Sequence, residues 1–398
     1  MELSQSRLNA TAYFLTLMGV TLPLVSIALS QSFLALSIAA FGWEQIRTQG
    51  FRLSFPPILL PLLLFMTATL IAWLCSPEPQ IGLAPLNKFW LFAIIALVAN
   101  LFDRQRIMQA YQLLFVLGVL ASLQVIGQFL IVWRITTETR LTGFMGHWMT
   151  LSGGLMLACI VGAGYFLFAM PKWRLLWLAG LAIMVAALSL SLTRSIWIAT
   201  LVGVLVLLLM RHLHWKTFAV VGLALCALLL LAPGVIQRRI QSIWDTNEPS
   251  NYARLAIWKA GVRMVKQHPW VGVGPQRVSK VFYDYHPYPQ DRKRSGFFPV
   301  HMHNNLLQFA AERGIPCALF WLWLMLKLGW DHWCKFRAAA TEDGEQGIPA
   351  IGFTAVVTLF LAGLFEFNFG DSEVLMVFLF LVSAPYAISS SAEMQPRT

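Results

Sequence analysis

Leu175–Met210 reads LLWLAGLAIMVAALSLSLTRSIWIATLVGVLVLLLM, with one charged residue, Arg194, near its middle. An α-helix rises about 1.5 Å per residue and needs about 20 apolar residues to cross roughly 30 Å of hydrocarbon. The stretch therefore reads as two membrane-spanning helices divided at Leu192-Thr193-Arg194-Ser195. Helices this apolar all round belong in a membrane and not at a water-facing surface.

The pattern extends in both directions. Apolar runs of near-spanning length are Ala12–Leu29, Phe33–Trp43, Ile58–Cys75, Leu86–Leu101, Ile107–Trp133, Trp148–Met170, Leu175–Leu192, Ile196–Met210, Phe218–Ile236, Asn304–Trp330, Ile348–Phe367 and Val374–Ile388. A composition of 58% hydrophobic and 12% charged residues, with mean hydropathy +0.66, excludes a soluble globular class. The expected fold is an all-α polytopic membrane protein, a single domain over 1–398 with about 12 transmembrane helices. No cleavable signal precedes Ala12–Leu29, which is expected to be retained as the first span.

Short loops that keep Lys and Arg stay cytoplasmic. Counting the breaks, the even-numbered ones carry Arg47 and Arg52, Arg104 and Arg106, Lys172 and Arg174, Arg211 and Lys216, then Lys327, Lys335 and Arg337. Odd-numbered breaks such as Ser76–Pro85 and Gly370–Glu373 lack them. Both termini are thus expected inside, an N-in/C-in arrangement.

One external break departs from this rule. Ile236–Met302 holds eleven Lys/Arg against four Asp/Glu, a net +7 of the chain's +11. Loops longer than about 60 residues translocate largely regardless of charge. The expected partner is phosphate-bearing lipid or glycolipid, which Arg and Lys meet with charge-assisted bonds. Within it Asn251–Gln267 has helical period, with Leu255, Trp258, Val262 and Val265 on an apolar stripe and Lys259, Arg263 and Lys266 on a basic one. This amphipathic helix is expected to lie on the membrane surface. Arg292-Lys293-Arg294 is a further basic run suited to acceptor phosphates.

Two features point to a site. Arg194 is an ionisable group between spans, whose desolvation needs a partner, and so it is a functional candidate. The loop closes on His301-Met302-His303-Asn304-Asn305-Leu306-Leu307-Gln308-Phe309-Ala310-Ala311-Glu312-Arg313-Gly314-Ile315-Pro316. There Asn304, Gln308 and Glu312 share a polar i, i+4 stripe. Glu312 falls on roughly the opposite helix face from His303, so it is expected to hold the bundle together from inside and not to form a His–Glu dyad.

These segments carry a resemblance. His303-Asn304-Asn305-Leu306-Leu307 followed by Glu312-Arg313-Gly314-Ile315-Pro316, with the upstream Pro269-Trp270-Val271-Gly272-Val273-Gly274-Pro275, resembles the bacterial O-antigen ligase/polymerase superfamily. The similarity extends to Leu192-Thr193-Arg194-Ser195, Asn251-Tyr252-Ala253-Arg254, Gly143-Phe144-Met145-Gly146-His147 and Glu366-Phe367-Asn368-Phe369-Gly370-Asp371-Ser372-Glu373. The resemblance implies a multi-pass glycosyltransferase of the bacterial inner membrane with its active site facing the periplasm. The donor would be an undecaprenyl-pyrophosphate-linked glycan and, in the ligase branch, the acceptor a sugar hydroxyl of lipid A-core. It implies inversion at the anomeric carbon without a metal. The basic stretch 236–302 becomes the large periplasmic loop between spans 9 and 10.

By the same resemblance Arg194 and Arg254 bind the donor pyrophosphate and His303 is the functional histidine, either as general base or by positioning substrate. An imidazole is suited to accept a proton near neutrality. His301, Asn304, Glu312, Asp371 and Glu373 are supporting candidates, the last two as partners of an arginine or of His303. His301 and His303 have chelating spacing but no third ligand follows suitably, so no metal is expected. No phosphate loop or dinucleotide fingerprint appears, so no cofactor is expected and the energy comes with the activated donor. Membrane lipids are partners, and nucleic acid is not, because the positive charge lies outside. Cys75, Cys159, Cys226, Cys317 and Cys334 are scattered, an odd number that forms no disulfide framework.

Three functions fit the same residues: a ligase, an O-antigen polymerase or protein O-oligosaccharyltransferase using the same donor, and a transporter of lipid-linked glycan or small solute. A carrier buries ionisable groups along a mid-membrane path, whereas here they gather at the outer rim. The chain stops soon after the twelfth run, at Thr398, which within the family favours ligase over protein-directed members. A single cysteine placed in Ser76–Pro85 of the intact inner membrane should react with an impermeant thiol reagent applied from outside. Protection there would overturn the orientation.

Overall fold

The computed structural model describes residues 2–48, 53–132, 140–212, 234–242, 245, 248–286, 301–339 and 345–393. Among these the regular structure is entirely helical. Five segments, Ile27–Arg47, Pro79–Leu101, Arg104–Ile131, Trp148–Ala169 and Asn305–Ala338, are long and apolar enough to cross a bilayer, and shorter apolar helices pack among them. Leu60, Leu70, Leu120, Leu176 and Leu326 stand exposed on the perimeter, apolar surface that lipid and not water would cover. The chain is a polytopic membrane protein.

The helices are α1 (Glu2–Thr21), α2 (Ile27–Arg47), α3 (Leu59–Leu74), α4 (Leu83–Asn87), α5 (Ala93–Leu101), α6 (Arg104–Val132), α7 (Trp148–Ala169), α8 (Arg174–Leu190) and α9 (Arg194–Met210). After these come α10 (Gly234–Gln241), α11 (Pro249–Gln267), α12 (Val278–Tyr285), α13 (Asn305–Ala338), α14 (Gly347–Ala362) and α15 (Ser372–Glu393). The core is α7, buried without interruption from Thr150 to Tyr165 and packed against α6, α8, α9, α14 and α15. Gly164 permits the close approach of α14, since a Cβ there would lie 2.3 Å from Ile351 Cγ1.

The bundle has two unlike ends. Arg211 donates to the Leu167 carbonyl at 3.2 Å, and Arg104 pairs with Glu345 at 3.8 Å, which gathers the C-termini of α7 and α9 with the N-termini of α6 and α14. The opposite end gathers the starts of α7, α9 and α13 with the end of α14, and there the amphipathic segment docks.

A backbone joint fixes that docking. Pro316 has no N–H to give to the Glu312 carbonyl, and Gly314 stands at φ 86°, ψ 164°, so α13 breaks into two helices. The freed groups find partners in Pro269–Gly274. Val273 N donates to Ala311 O at 2.8 Å, Gly274 N to Glu312 O at 3.0 Å, and Ile315 N to Pro269 O at 2.8 Å. Gly272, at φ 67°, would place a Cβ 2.3 Å from the Glu312 carbonyl carbon. Glu78 pairs with Arg277 at 3.1 Å and also with Lys280, tying the end of α3 to the same segment.

Several sequence expectations shift. Ala12–Leu29 and Phe33–Trp43 are instead α1 and α2, because Pro23 breaks the first run and Ser26 caps the second helix by accepting from Leu29 N at 3.4 Å. Leu86–Leu101 falls within the candidate span Pro79–Leu101, which is built of consecutive short helical pieces. Ile348–Phe367 ends as a helix at Ala362, leaving Glu366 in a loop. α11 matches the expected Asn251–Gln267 helix, but its packed face is Ile257, Ala260 and Met264, while Leu255 and Val262 of the expected stripe stay exposed. Phe218–Ile236 up to residue 233, Cys226 and Arg292-Lys293-Arg294 lie outside the described residues.

Gly314→Ala should loosen the joint. Its Cβ would sit 2.0 Å from the Trp270 carbonyl oxygen in a backbone region that alanine avoids, at a cost of about 1–3 kcal/mol from strain alone. Gly42→Ala, with nothing within 4 Å, should leave the thermal unfolding midpoint in detergent unchanged or slightly raised. Equal midpoints for the two variants would refute the joint.

Candidate active site

Glu366 is the centre of the rim opposite Arg104 and Arg211. It is 2% exposed, in the loop between α14 and α15. Oε1 accepts from Arg254 Nη2 at 2.6 Å, and Oε2 lies 3.2 Å from His303 Nδ1. A third, longer bond comes from Ser195 Oγ at 3.4 Å. Burial opposes ionisation of Glu366, but the His303 bond and the Arg254 charge outweigh it and hold the carboxyl below its usual range.

Each partner is aimed by its own element. Asn304 caps α13, its Oδ1 accepting from Leu307 N at 2.9 Å while its Nδ2 donates to the Leu364 carbonyl at 2.9 Å. This binds the start of α13 to the loop that carries Glu366. His303 precedes the cap with φ 48°, a left-handed conformation that side chains rarely adopt and that is held here by its surroundings. A carboxylate can only accept, so Nδ1 of His303 carries the proton when the two bond, and it is in the neutral ring that Nε2 then presents a lone pair.

His301 lies against His303, with ring centroids 4.2 Å apart. Its Nδ1 accepts from His303 N at 3.3 Å. Burial, reinforced by the neighbouring His303, pushes its pKa down to about 3, so it stays neutral at physiological pH. His147 caps α7, accepting from Met149 N at 3.3 Å, and burial likewise lowers its pKa.

Arg194 opens α9 and reaches across to the basic segment. Nη1 donates to Ser242 O at 2.6 Å and Ser242 Oγ at 3.0 Å, and Nη2 to Ser250 Oγ at 3.0 Å and Asn251 Oδ1 at 2.6 Å. These acceptors are uncharged, and Asn251 lies one turn before Arg254 on α11. Arg194 therefore sets the first turn of the helix that presents Arg254, and the two expected arginines belong to one assembly.

The remaining candidates divide. Glu312 is buried against Gln308 and the Gln276 backbone, away from Glu366 and His303. Asp371 accepts from Thr150 Oγ1 at 3.2 Å, and burial and then Glu373 raise its pKa to about 7. The carboxylate that meets an arginine and His303 is thus Glu366, and Asp371 is held elsewhere. Glu366 sits in the quoted loop motif, but as the apparent end of an apolar run it reads as part of a span. The helix ends at Ala362, and Gly363 after it keeps right-handed angles but leaves room for Asn305, whose Nδ2 would lie 2.2 Å from a Cβ there. Among the described residues no cluster of three His, Cys, Asp or Glu side chains forms a metal site.

Residues 179–322 match the family model described as O-antigen ligase. The match places this segment with the O-antigen ligase/polymerase superfamily. The matched residues include Arg194, Arg254 and His303, while Glu366 lies beyond them. The backbone is similar to a chain of a solved structure on the structural coordination of polymerization and crosslinking by a peptidoglycan synthase complex. The TM-score is 0.50 at 16% identity, covering 85% of this chain and 98% of that one, a likeness of fold alone. No curated protein matches the sequence.

Glu366→Gln should lower stability at pH 7 by about 3 kcal/mol, because Arg254 is left without its buried counter-charge. A carboxyl held below its usual range stabilises the fold above the unfolded pKa and loses that contribution as pH falls through the folded one. The gap between wild type and variant in thermal unfolding should hold from neutrality down to about pH 4.5 and close below it. A gap independent of pH would show that the ion pairs are not its cause.

Proposed function

We propose that this protein is an O-antigen ligase, transferring a glycan from undecaprenyl pyrophosphate to a sugar hydroxyl of lipid A-core on the periplasmic face of the bacterial inner membrane. The observation that carries the reading is the buried Glu366, which holds Arg254 and His303 side by side at the outer rim. About twelve spans with both termini inside complete the topology. The lysine- and arginine-bearing helix ends lie opposite the site, which supports a periplasmic active site.

Transfer requires a leaving diphosphate to be stabilised and a proton to be removed from the acceptor. In this reading Arg254, 20% exposed at its side chain and poised by Arg194 through Asn251, turns its guanidinium to the diphosphate oxygens. His303 Nε2 takes the acceptor's proton, and Glu366 stabilises the imidazolium that forms at Nδ1. The acceptor oxygen attacks the anomeric carbon from the side opposite the diphosphate, whose C–O electron pair leaves on the phosphate oxygen. One displacement inverts the anomeric centre, and two arginines supply charge that a metal would otherwise provide.

With purified protein, lipid-linked glycan and lipid A-core in chelator, His303→Ala should reduce kcat about 10²–10⁴-fold with little change in KM for the donor. Longer glycan on the carrier lipid with unmodified lipid A-core would make the protein a polymerase, and no product from wild type would favour a carrier.

A further inference from the structure

Between α13 and α14 the perimeter of the bundle is recessed into a groove of about 360 Å³. It follows α14 from Leu361 back to Phe353, about 12 Å of helix, and no charged side chain lines it. Gly329 of α13 supplies the room, since a Cβ there would meet only Val356 Cγ1, at 3.7 Å. Leu326 and Trp330 beside it are exposed, so the groove opens outward, to where lipid lies.

At Trp333 and Phe353, whose rings are 5.6 Å apart, the groove meets a second recess of about 510 Å³. This one lies at the end of the bundle opposite Glu366, and its lining is of another kind. Arg337, His212 and Gln346 stand there beside apolar side chains from α9. The Arg337 guanidinium lies over the Trp333 ring, 6.0 Å from its centroid. Among the described residues Arg337 is paired with no carboxylate, while Glu345 is engaged with Arg104 and Asp331 with Lys327.

We propose that the two recesses form one site for an anionic phospholipid of the leaflet opposite the candidate active site. One acyl chain lies in the groove over Gly329, and the phosphate meets Arg337 and His212. The occupant follows from the order of the lining, hydrocarbon along its length and a cation at one end. A guanidinium takes phosphate oxygens in charge-assisted bonds, and basic pockets between spanning helices hold lipid head groups. A spanning helix of another protein is a poorer match. Its end on this side would carry Lys or Arg of its own and set like charge against Arg337. The site stands apart from the transfer chemistry, yet α13 and α14 are the helices whose opposite ends carry His303 and the Glu366 loop. A lipid seated between them braces that pair.

The test reads lipid binding directly. The full-length protein in detergent is titrated separately with phosphatidylglycerol and phosphatidylcholine and followed by native mass spectrometry. Wild type should retain one phosphatidylglycerol at a concentration about tenfold lower than phosphatidylcholine requires, the worth of one bond to a charged group. Gly329→Leu places a side chain in the groove and should weaken both lipids about tenfold or more. Arg337→Gln should remove the preference for phosphatidylglycerol and leave phosphatidylcholine unchanged, so the site is still tested if Gly329→Leu fails to fold. Equal retention of the two lipids by wild type, or undiminished binding in a folded Gly329→Leu protein, overturns the site. A photoreactive side chain in place of Trp330, on the rim, should capture lipid in native membranes. Capture of a peptide there, from this chain or another, overturns the lipid as occupant.

Discussion

A missing amide hydrogen organises the half of this protein that carries the candidate site. Pro316 cannot donate to the Glu312 carbonyl, and Gly314 turns the chain out of helical geometry, so the wall of a spanning helix exposes backbone groups. In a membrane protein such groups must be satisfied by other protein. Pro269–Gly274 satisfies them, through Val273, Gly274 and the Pro269 carbonyl. Two sequence motifs more than thirty residues apart are thus the two halves of one contact. It holds α11 against α13 and so brings Arg254 to the same side as His303.

Electrostatics then follow from burial. A carboxylate as enclosed as Glu366 demands compensation, and the fold supplies Arg254 and His303 from two elements that the joint has already aligned. Asn304 bonds the Glu366 loop to the start of α13, which keeps acid and imidazole in register. Arg194 works at one remove, spending its donors on Ser242, Ser250 and Asn251 to orient the first turn of α11.

Much of this was legible in the sequence. Helical period marked α11 to within a few residues, and the order of the motifs pointed to Arg194, Arg254 and His303 together. What hydropathy did not reveal were interruptions within apolar runs. Pro23 moves the first helix boundary, and α14 ends early at Ala362, so that Glu366 emerges from an apparent span into a loop. The pairing of Glu366 with Arg254 joins residues over a hundred positions apart, and no local periodicity encodes it. Asp371 and Glu373 looked equally eligible because charge and position alone do not tell which carboxylate is buried beside the histidine.

The Arg254–Glu366 contact also bears on which anions the site admits. A guanidinium already engaged by a carboxylate of the same chain faces a competitor at high effective concentration. Stray inorganic phosphate or sulfate, bound by little more than its charge, displaces such a partner poorly. In the proposed reaction a diphosphate anchored by a membrane-embedded lipid would arrive with its own tether and contest the arginine on equal terms. In the proposed reaction the internal carboxylate would thereby act as a filter, keeping Arg254 from being occupied by whatever small anion diffuses past.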